Sequence, residues 1–180
     1  MKFLIFAAFF ALGCLFPLSA IAAWKKLDPD QKPFAKAELT AKSGSSVSGS
    51  VGFLKLTDGL LVRVSAKNLA KGDHGFHIHE KGDCSSADAS SAGEHFNPSG
   101  DTHGGVQSGH RHTGDLGNLT VDADGNAEIR VPSTKPKEPS TWDNILGKAI
   151  VIHANEDDLK SNPAGNSGAR IACGVIQAAK

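Results

Sequence analysis

Seven consecutive residues, HGFHIHE at positions 74–80, hold three of the eight histidines of this 180-residue chain. In a β-strand, successive side chains point to opposite faces, so His77 and His79 share one face while Phe76 and Ile78 share the other. One face then packs in an apolar core and the other presents two imidazoles. Neutral imidazole is a common metal ligand, but exposed strand histidines are also common, so this pair alone is weak evidence for a metal site and the other histidines must support it.

A long polar loop, HFNPSGDTHGGVQSGHRHTGD, contains four further histidines and ends on a carboxylate. A loop of this polarity buries too little apolar surface to become ordered by itself, so a bound metal is one of the few ways to fix it. Histidines with one carboxylate and no cysteine suit zinc in a closed tetrahedral site. The residues concerned are His95, His103, His110, His112 and Asp115.

The last histidine, His153, follows the apolar run AIVI at the end of a predicted strand. Alone, it would fit a solvent-facing residue equally well. Taken with the strand and loop histidines, at least six imidazoles exceed what one closed zinc site uses, so two metals are the better prediction. An all-nitrogen set with an open position suits copper, which cycles between Cu(I) and Cu(II). We therefore expect a redox site beside a structural site.

The elements that would position these residues are short strands. Ser43-Gly44 and Asp58-Gly59 are expected to supply the positive φ angles of tight hairpin turns. Two stretches, about 81–115 and 154–170, are longer than strand connections require and are typical of functional loops. We predict an all-β antiparallel domain. Its eight strands are expected within FAKAELTAK, VSGSVGFLKL, LLVRVSAKNL, HGFHIHE, LGNLTVDA, NAEIRVP, KAIVIHA and IACGVIQA.

The N-terminus predicts a secretory signal peptide. Lys2 precedes an apolar stretch that is interrupted by Pro17 and ends at the small-x-small triplet Ala20-Ile21-Ala22. The stretch is short for a membrane span, so a membrane anchor and lipidation at Cys14 are the less favoured alternatives. We expect export to the periplasm or the extracellular space. The predicted divisions are a signal peptide at 1–22, an N-terminal tail at 23–33 and a single domain at 34–180.

Charge and cysteine content narrow the function further. Lys2 is the only charged residue of the predicted signal, so its removal leaves 18 of the 19 basic residues against 19 acidic ones. This balance argues against nucleic-acid binding, and we expect no membrane attachment after signal removal. Cleavage also removes Cys14, which leaves Cys84 and Cys173 as an even pair in an oxidising compartment. We expect a disulfide between them, with two free buried thiols as the alternative.

Five motifs, in order, resemble the copper/zinc superoxide dismutase family, and they cover nearly all of the chain from about Phe34. The spacing from His95 through His103 and His112 to Asp115 is the family's own. The resemblance implies an eight-stranded antiparallel Greek-key β-sandwich or flattened barrel with two long functional loops. The motifs are HGFHIHE, GEHFNPSGDTHGG, GHRHTGDLGNLT, VIHANEDDL and GNSGARIACGVI.

The resemblance also implies roles for individual residues. His95 would be shared by both metals as a bridging imidazolate. Asp157 would accept hydrogen bonds from His77 and His103 and so orient their rings. Arg170 would lie beside the copper and attract the superoxide anion. One copper per chain would be held by His77, His79, His95 and His153, and one zinc by His95, His103, His112 and Asp115.

The implied activity is the disproportionation of superoxide into dioxygen and hydrogen peroxide, as an antioxidant defence outside the cytoplasm. The alternatives are a copper and zinc storage or delivery protein without turnover and a copper-only variant, which the zinc ligands contradict. His74 matches a structural histidine of the family, and His110 lies at a variable position. Neither is expected to bind the catalytic metal.

Two segments depart from the family pattern. Residues 159–164 (LKSNPA) are shorter than the charged loop of the cytosolic eukaryotic enzymes and lack its acidic pair, which leaves the steering of substrate open. Only four residues separate His79 from Cys84, so the subloop used by the eukaryotic dimer is shortened and both a monomer and a homodimer remain open. The sequon Asn118-Leu119-Thr120 lies in a predicted strand, where glycosylation is not expected.

Overall fold

A computed structural model describes residues 31–133 and 142–180, and the predicted signal peptide lies outside them. In this part of the chain the regular elements are nine β-strands and two short 3-10 turns, Ser90–Ala92 and Trp142–Ile145. None of the helical segments in these residues has the length and apolar character needed to cross a membrane. The strands are β1 Ala35–Ala41, β2 Ser48–Leu56, β3 Gly59–Lys67, β4 Gly72–His79, β5 Asp115–Val121, β6 Asn126–Pro132, β7 Ala149–His153, β8 Arg170–Val175 and β9 Gln177–Ala178.

The strands pair antiparallel in the order β5-β4-β7-β8-β1-β2-β3-β6, and β9 adds to β1. The two ends of this order, β5 and β6, are consecutive in the chain, so the sheet curls into a nearly closed barrel. The connections from β3 to β4 and from β6 to β7 run between distant strands, which is the Greek-key pattern. The predicted fold class is confirmed, and the eighth predicted strand is divided at Ile176 into β8 and β9.

The two faces of β4 have different surroundings. Phe76 and Ile78 are fully buried in the main apolar core, and burying each stabilises the fold by about 1.5–3 kcal/mol. His77 and His79 point to the opposite face, where they are also 0% exposed. His79 forms an isolated β-bridge with His95, so the long loop covers this face. The alternation predicted for this strand therefore produces two buried faces, one apolar and one polar.

A β-bulge adjusts the pairing of β4 with β5. Three residues of β4, Gly75 to His77, oppose four of β5, Asp115 to Asn118, and Gly117 within this segment has a φ of +83°. A bulge re-aims the side chains around it. As a result Asp115 and Asn118, an odd number of residues apart, both direct their side chains toward the polar face.

The prediction for the turn between β2 and β3 was wrong. Ser43 and Gly44 have the expected positive φ angles, but Asp58 and Gly59 do not. Gly59 already belongs to β3, where a Cβ would lie 2.2 Å from the carbonyl oxygen of Val131 on β6. The close approach of a neighbouring strand, rather than the turn, requires this glycine.

The predicted disulfide between Cys84 and Cys173 is confirmed, with the two Cα atoms 5.8 Å apart. Cys173 is buried within β8. The bond therefore anchors the start of the long loop to the strand that begins with Arg170.

Candidate metal centre

Four buried histidine rings converge on one point, which we call the copper group: His77 and His79 on β4, His153 at the end of β7, and His95 in the long loop. The ring centroids of His77 and His95 are 4.1 Å apart, and those of His77 and His153 are 4.9 Å apart. One ring nitrogen from each residue lies within 4.8 Å of the others. Neighbouring strands and one loop thus bring together residues that are up to 76 positions apart.

Every ring of this group has a hydrogen-bond acceptor outside the group; that of His95 is Asp115, and each of the three strand histidines has its own. An acceptor on one nitrogen fixes the tautomer and leaves the opposite nitrogen with a lone pair directed inward. The bonds run from His77 Nε2 to Asp157 Oδ2 (2.8 Å), from His79 Nδ1 to the Gly93 carbonyl (2.8 Å) and from His153 Nδ1 to the Gly168 carbonyl (3.2 Å).

The inward nitrogens are His77 Nδ1 and the Nε2 atoms of His79, His95 and His153. All four are buried, and none finds a hydrogen-bond partner among the described residues. Burial of an unpaired polar atom is unfavourable, and here four such atoms face one another. A single metal ion would satisfy all of them, and an all-imidazole set suits copper.

A second set, the zinc group, consists of His95, His103, His112 and Asp115. Asp115 Oδ1 lies 2.7, 3.0 and 3.2 Å from the Nδ1 atoms of His95, His103 and His112, respectively. The His103 nitrogen is close to this oxygen but not aligned for a hydrogen bond. Tetrahedral ligands about 2.0–2.1 Å from zinc lie about 3.3 Å from one another. The Asp115 oxygen therefore already lies at nearly the spacing that zinc requires from each of the three histidine nitrogens.

The other carboxylate oxygen of Asp115 is held by the backbone. Oδ2 accepts hydrogen bonds from the N–H groups of Gly104, at 3.1 Å, and His112, at 2.9 Å. Burial would raise the pKa of Asp115, but the three histidine rings around its carboxylate, His103 first, hold that pKa well below its usual range. The carboxylate is therefore charged, which is the form that binds a metal.

Arg111 is buried within the same loop. Its Nη1 donates to the carbonyl of His112 at 3.0 Å and to that of Asp115 at 3.3 Å. The guanidinium thereby links the backbone of two residues of the zinc group. Sequence reasoning missed Arg111, because a basic residue in a polar loop is usually solvent-exposed.

Asp157 lies between the two groups. Oδ2 accepts from His77 Nε2, and Oδ1 accepts from His103 Nε2 at 2.9 Å. Burial would raise the pKa of Asp157, but the hydrogen bonds from His103 and His77 keep that pKa well below its usual range. A charged carboxylate therefore orients one ring of each group at the same time.

The four described histidines with shifted pKa values fall into two kinds. Burial lowers the pKa of His77 to about 4, that of His79 to about 2 and that of His153 to about 3. These three rings are neutral near pH 7, so their lone pairs are free for a metal. Burial also acts to lower the pKa of His103, but the two carboxylates that flank this ring outweigh burial and raise it to about 9. A metal at His103 must displace a proton.

Arg170 pairs with His153 in the register of β7 and β8, which places it next to the copper group. Its Nη1 donates to the carbonyl of Ala89 at 2.8 Å. After burial and the neighbouring imidazoles, the charge of Arg170 also contributes to the lowered pKa of His79 and of His153. The guanidinium is thus close enough to the group to act on its electrostatics.

Two histidines lie outside both groups. The ring nitrogens of His74 face the carbonyls of His153, at 2.9 Å, and Ala70, at 3.0 Å. The side chain of His110 is exposed and lies 3.5 Å from Asp101. All the residues predicted to bind metal are brought together, while the metals themselves and the role of each residue stay predictions.

A Greek-key barrel with two buried donor groups that share one histidine defines a metal-binding β-sandwich protein. The family model described as copper/zinc superoxide dismutase (SODC) matches residues 47–176. The chain belongs to the copper/zinc superoxide dismutase family, whose members bind copper and zinc.

Similar relatives include proteins named "Copper chaperone for superoxide dismutase". The one from Rattus norvegicus is 40% identical over 152 residues, which are 81% of this chain and 54% of the relative. The one from Homo sapiens is 43% identical over 138 residues, which are 73% of this chain and 48% of the relative. The chain thus spans about half the length of these curated relatives. A crystal structure of "the clock protein EA4" is 33% identical, with a TM-score of 0.65, and the match covers 85% of this chain and 99% of that one.

Proposed function

We propose that the chain is an exported copper/zinc superoxide dismutase, which converts two superoxide anions and two protons into dioxygen and hydrogen peroxide. The main support is the set of four buried, unpartnered nitrogens of the copper group. Bound copper would supply one-electron oxidation and reduction, and bound zinc would fix the loop and add positive charge. The copper would be held by the copper group and the zinc by the zinc group, with one of each per chain.

His95 belongs to both groups and would serve as ligand and proton carrier. Its Nδ1 lies 2.7 Å from Asp115 in the zinc group, while its Nε2 is directed into the copper group. Whenever Nε2 is not a ligand, it can hold a proton and transfer it to the reduced substrate. The ring is buried, so this proton is held away from bulk water.

Arg170 would bind and orient the anion. Superoxide carries a negative charge, and a guanidinium beside the copper group attracts it and offers N–H donors. The carbonyl of Ala89 fixes one end of this guanidinium. Ala89 is fully buried and has a φ of +58°, an unusual backbone angle for alanine, so the loop holds its carbonyl in a defined direction.

The setting we propose is the periplasm or the extracellular space. The disulfide supports it, because such bonds persist in oxidising compartments. Superoxide is the proposed small-molecule partner, and nucleic acid and membrane are not proposed as partners of the mature protein. For the oligomeric state, a homodimer and a monomer are both compatible with this proposal.

A copper-delivery protein is the second candidate function, because the similar relatives are named copper chaperones for superoxide dismutase. Delivery needs a copper site but no group that recognises superoxide. The position of Arg170 opposite His153 therefore favours turnover over delivery.

The two functions are distinguished by measuring the decay of superoxide in the presence of the copper- and zinc-loaded protein. The protein concentration is kept far below that of superoxide. Turnover above the free-metal background supports the enzyme, and its absence supports delivery.

The role of Arg170 is tested by substitution. Arg170→Gln should lower the rate of superoxide decay and make that rate decline less steeply as salt is raised. The matched control is Arg130→Gln, which removes the same charge from an exposed ion pair with Asp58. Equal rates in both variants would count against the role of Arg170.

A further inference from the structure

The side chain of Asn118 makes two hydrogen bonds to the backbone of Asp157. The Asp157 N–H donates to Asn118 Oδ1 at 2.7 Å, and Asn118 Nδ2 donates to the Asp157 carbonyl at 2.9 Å. The amide thus pairs with the main chain as a neighbouring strand would. Asn118 belongs to β5, whereas Asp157 lies in the loop after β7. The pair therefore fixes the backbone of Asp157 to the sheet.

The fixed backbone carries the carboxylate that links the two metal groups. The two oxygens of Asp157 accept from His77 and His103, at 2.8 and 2.9 Å. A shift of the Asp157 backbone would move both acceptors together and release one ring in each group. Asn118 itself contacts no member of either group through these bonds.

The bulge in β5 makes this contact compatible with the zinc group. Because of the extra residue near Gly117, Asn118 and Asp115 both face the centre from the same strand. One strand thus supplies a donor atom directly, through Asp115, and a support for Asp157, through Asn118.

We propose that Asn118 is a positioning residue that sets the Asp157 carboxylate and, through it, the ring orientation of His77 and of His103. This inference rests on the metal centre proposed above. It also gives the sequon Asn118-Leu119-Thr120 a different meaning, since the Nδ2 atom to which a glycan would be attached is already a donor to Asp157.

The test uses Asn118→Ala and Asn118→Asp in the full-length protein. The aspartate has the same shape and keeps the acceptor for the Asp157 N–H, but it replaces the donor to the Asp157 carbonyl by a second acceptor. Thr120→Val is the matched control, because Thr120 lies on the same strand, is exposed and loses one side-chain hydrogen bond, to Asp73.

Zinc affinity of the metal-free proteins is measured by competition with a chelator, and the copper-loaded proteins are compared by electron paramagnetic resonance. Groups that support metal ligands typically change affinity about 10–100-fold, and we expect about 10-fold weaker zinc binding in both Asn118 variants. We also expect an altered copper spectrum, because His77 loses its fixed orientation. Thr120→Val should stay within about twofold of the unaltered protein, since its bond lies outside the Asp157 contacts.

Unchanged zinc affinity and an unchanged copper spectrum in Asn118→Asp would overturn the inference while leaving the metal centre intact. So would equal losses of melting temperature in the metal-free and metal-loaded forms without a change in affinity, because that pattern marks a purely structural role. If the unaltered protein bound no zinc, the metal centre itself would fail, and this inference with it.

Discussion

Gly165 packs directly against the Asp157 carboxylate: a Cβ built on Gly165 would lie 1.7 Å from Asp157 Oδ1. The same Cβ would lie 2.8 Å from His103 Nε2. Neither atom can move away freely, because the two are hydrogen bonded to each other. The glycine therefore allows the loop to close over the carboxylate that links the two metal groups.

Replacement of Gly165 by alanine should weaken zinc binding by at least about tenfold, because Asp157 must shift and release His103. Gly44→Ala is the matched control. Gly165 and Gly44 have similar φ angles, +63° and +74°, but a Cβ at Gly44 meets no atom within 4 Å. Both variants should lose about 1–2 kcal/mol of unfolding free energy from backbone strain, because a residue with a Cβ is unfavourable in the left-handed conformation. Chelator competition should show the affinity loss in Gly165→Ala alone, and equal affinities would contradict the proposed role of this contact.

His79→Ala should abolish copper-dependent superoxide decay and leave zinc bound. His79 belongs to the copper group and not to the zinc group. Elemental analysis after dialysis would report both metals, and stopped-flow decay of superoxide would report activity. His110→Ala serves as control, because this side chain is exposed and outside both groups. Full activity in His79→Ala would refute the copper assignment.

The metal-free protein should be most stable near pH 6.5. The folded-state pKa values of His77, His79 and His153, about 4, 2 and 3, lie below the usual 6.5. Below pH 6.5 the unfolded chain therefore takes up protons that the folded chain does not. Each of these histidines lowers the unfolding free energy by up to about 1.4 kcal/mol per pH unit as the pH falls toward its folded-state value.

His103 acts in the opposite direction, because its pKa is raised to about 9. Its contribution to stability is complete below pH 6.5 and is lost as the pH rises through 9. Urea denaturation of the metal-free protein between pH 4 and 9 would show the maximum. A stability that rises steadily across this range would contradict the assigned shifts.

Loss of the disulfide should destabilise the protein strongly. The bond joins residues 89 positions apart, and the chain-entropy treatment gives roughly 4 to 5 kcal/mol for a loop of this length. The double variant Cys84→Ser, Cys173→Ser should therefore unfold at a much lower urea concentration than the unaltered protein. The unaltered protein treated with a reductant is the control, because it loses the same bond without a change of sequence. A loss of unfolding free energy below about 1 kcal/mol would contradict this prediction, because it would show that the unfolded chain gains little conformational entropy when the bond is removed.

Strands and donor residues were predictable from the sequence because their signals are local. The alternation of Phe76 and Ile78 with two histidines defines β4, and the number of histidines in the strands and the long loop suggests a metal. Asn118 and Arg111 were missed for the same physical reason. Each acts on main-chain atoms, and which carbonyl or N–H lies within reach depends on the folded backbone rather than on side-chain type. Gly59 was misread because its neighbour, Val131, lies on a strand that is distant in sequence.

The two metal groups differ in what shapes them. Three of the four copper-group rings stand on β4 and β7, which are hydrogen bonded to each other within the barrel. The zinc group instead draws His95, His103 and His112 from the long polar loop, and only Asp115 comes from a strand. We therefore expect copper to enter a pocket that the barrel largely provides, as a ligand docks into a preformed site. We expect zinc instead to stabilise the loop itself, because three of its four proposed ligands come from that loop.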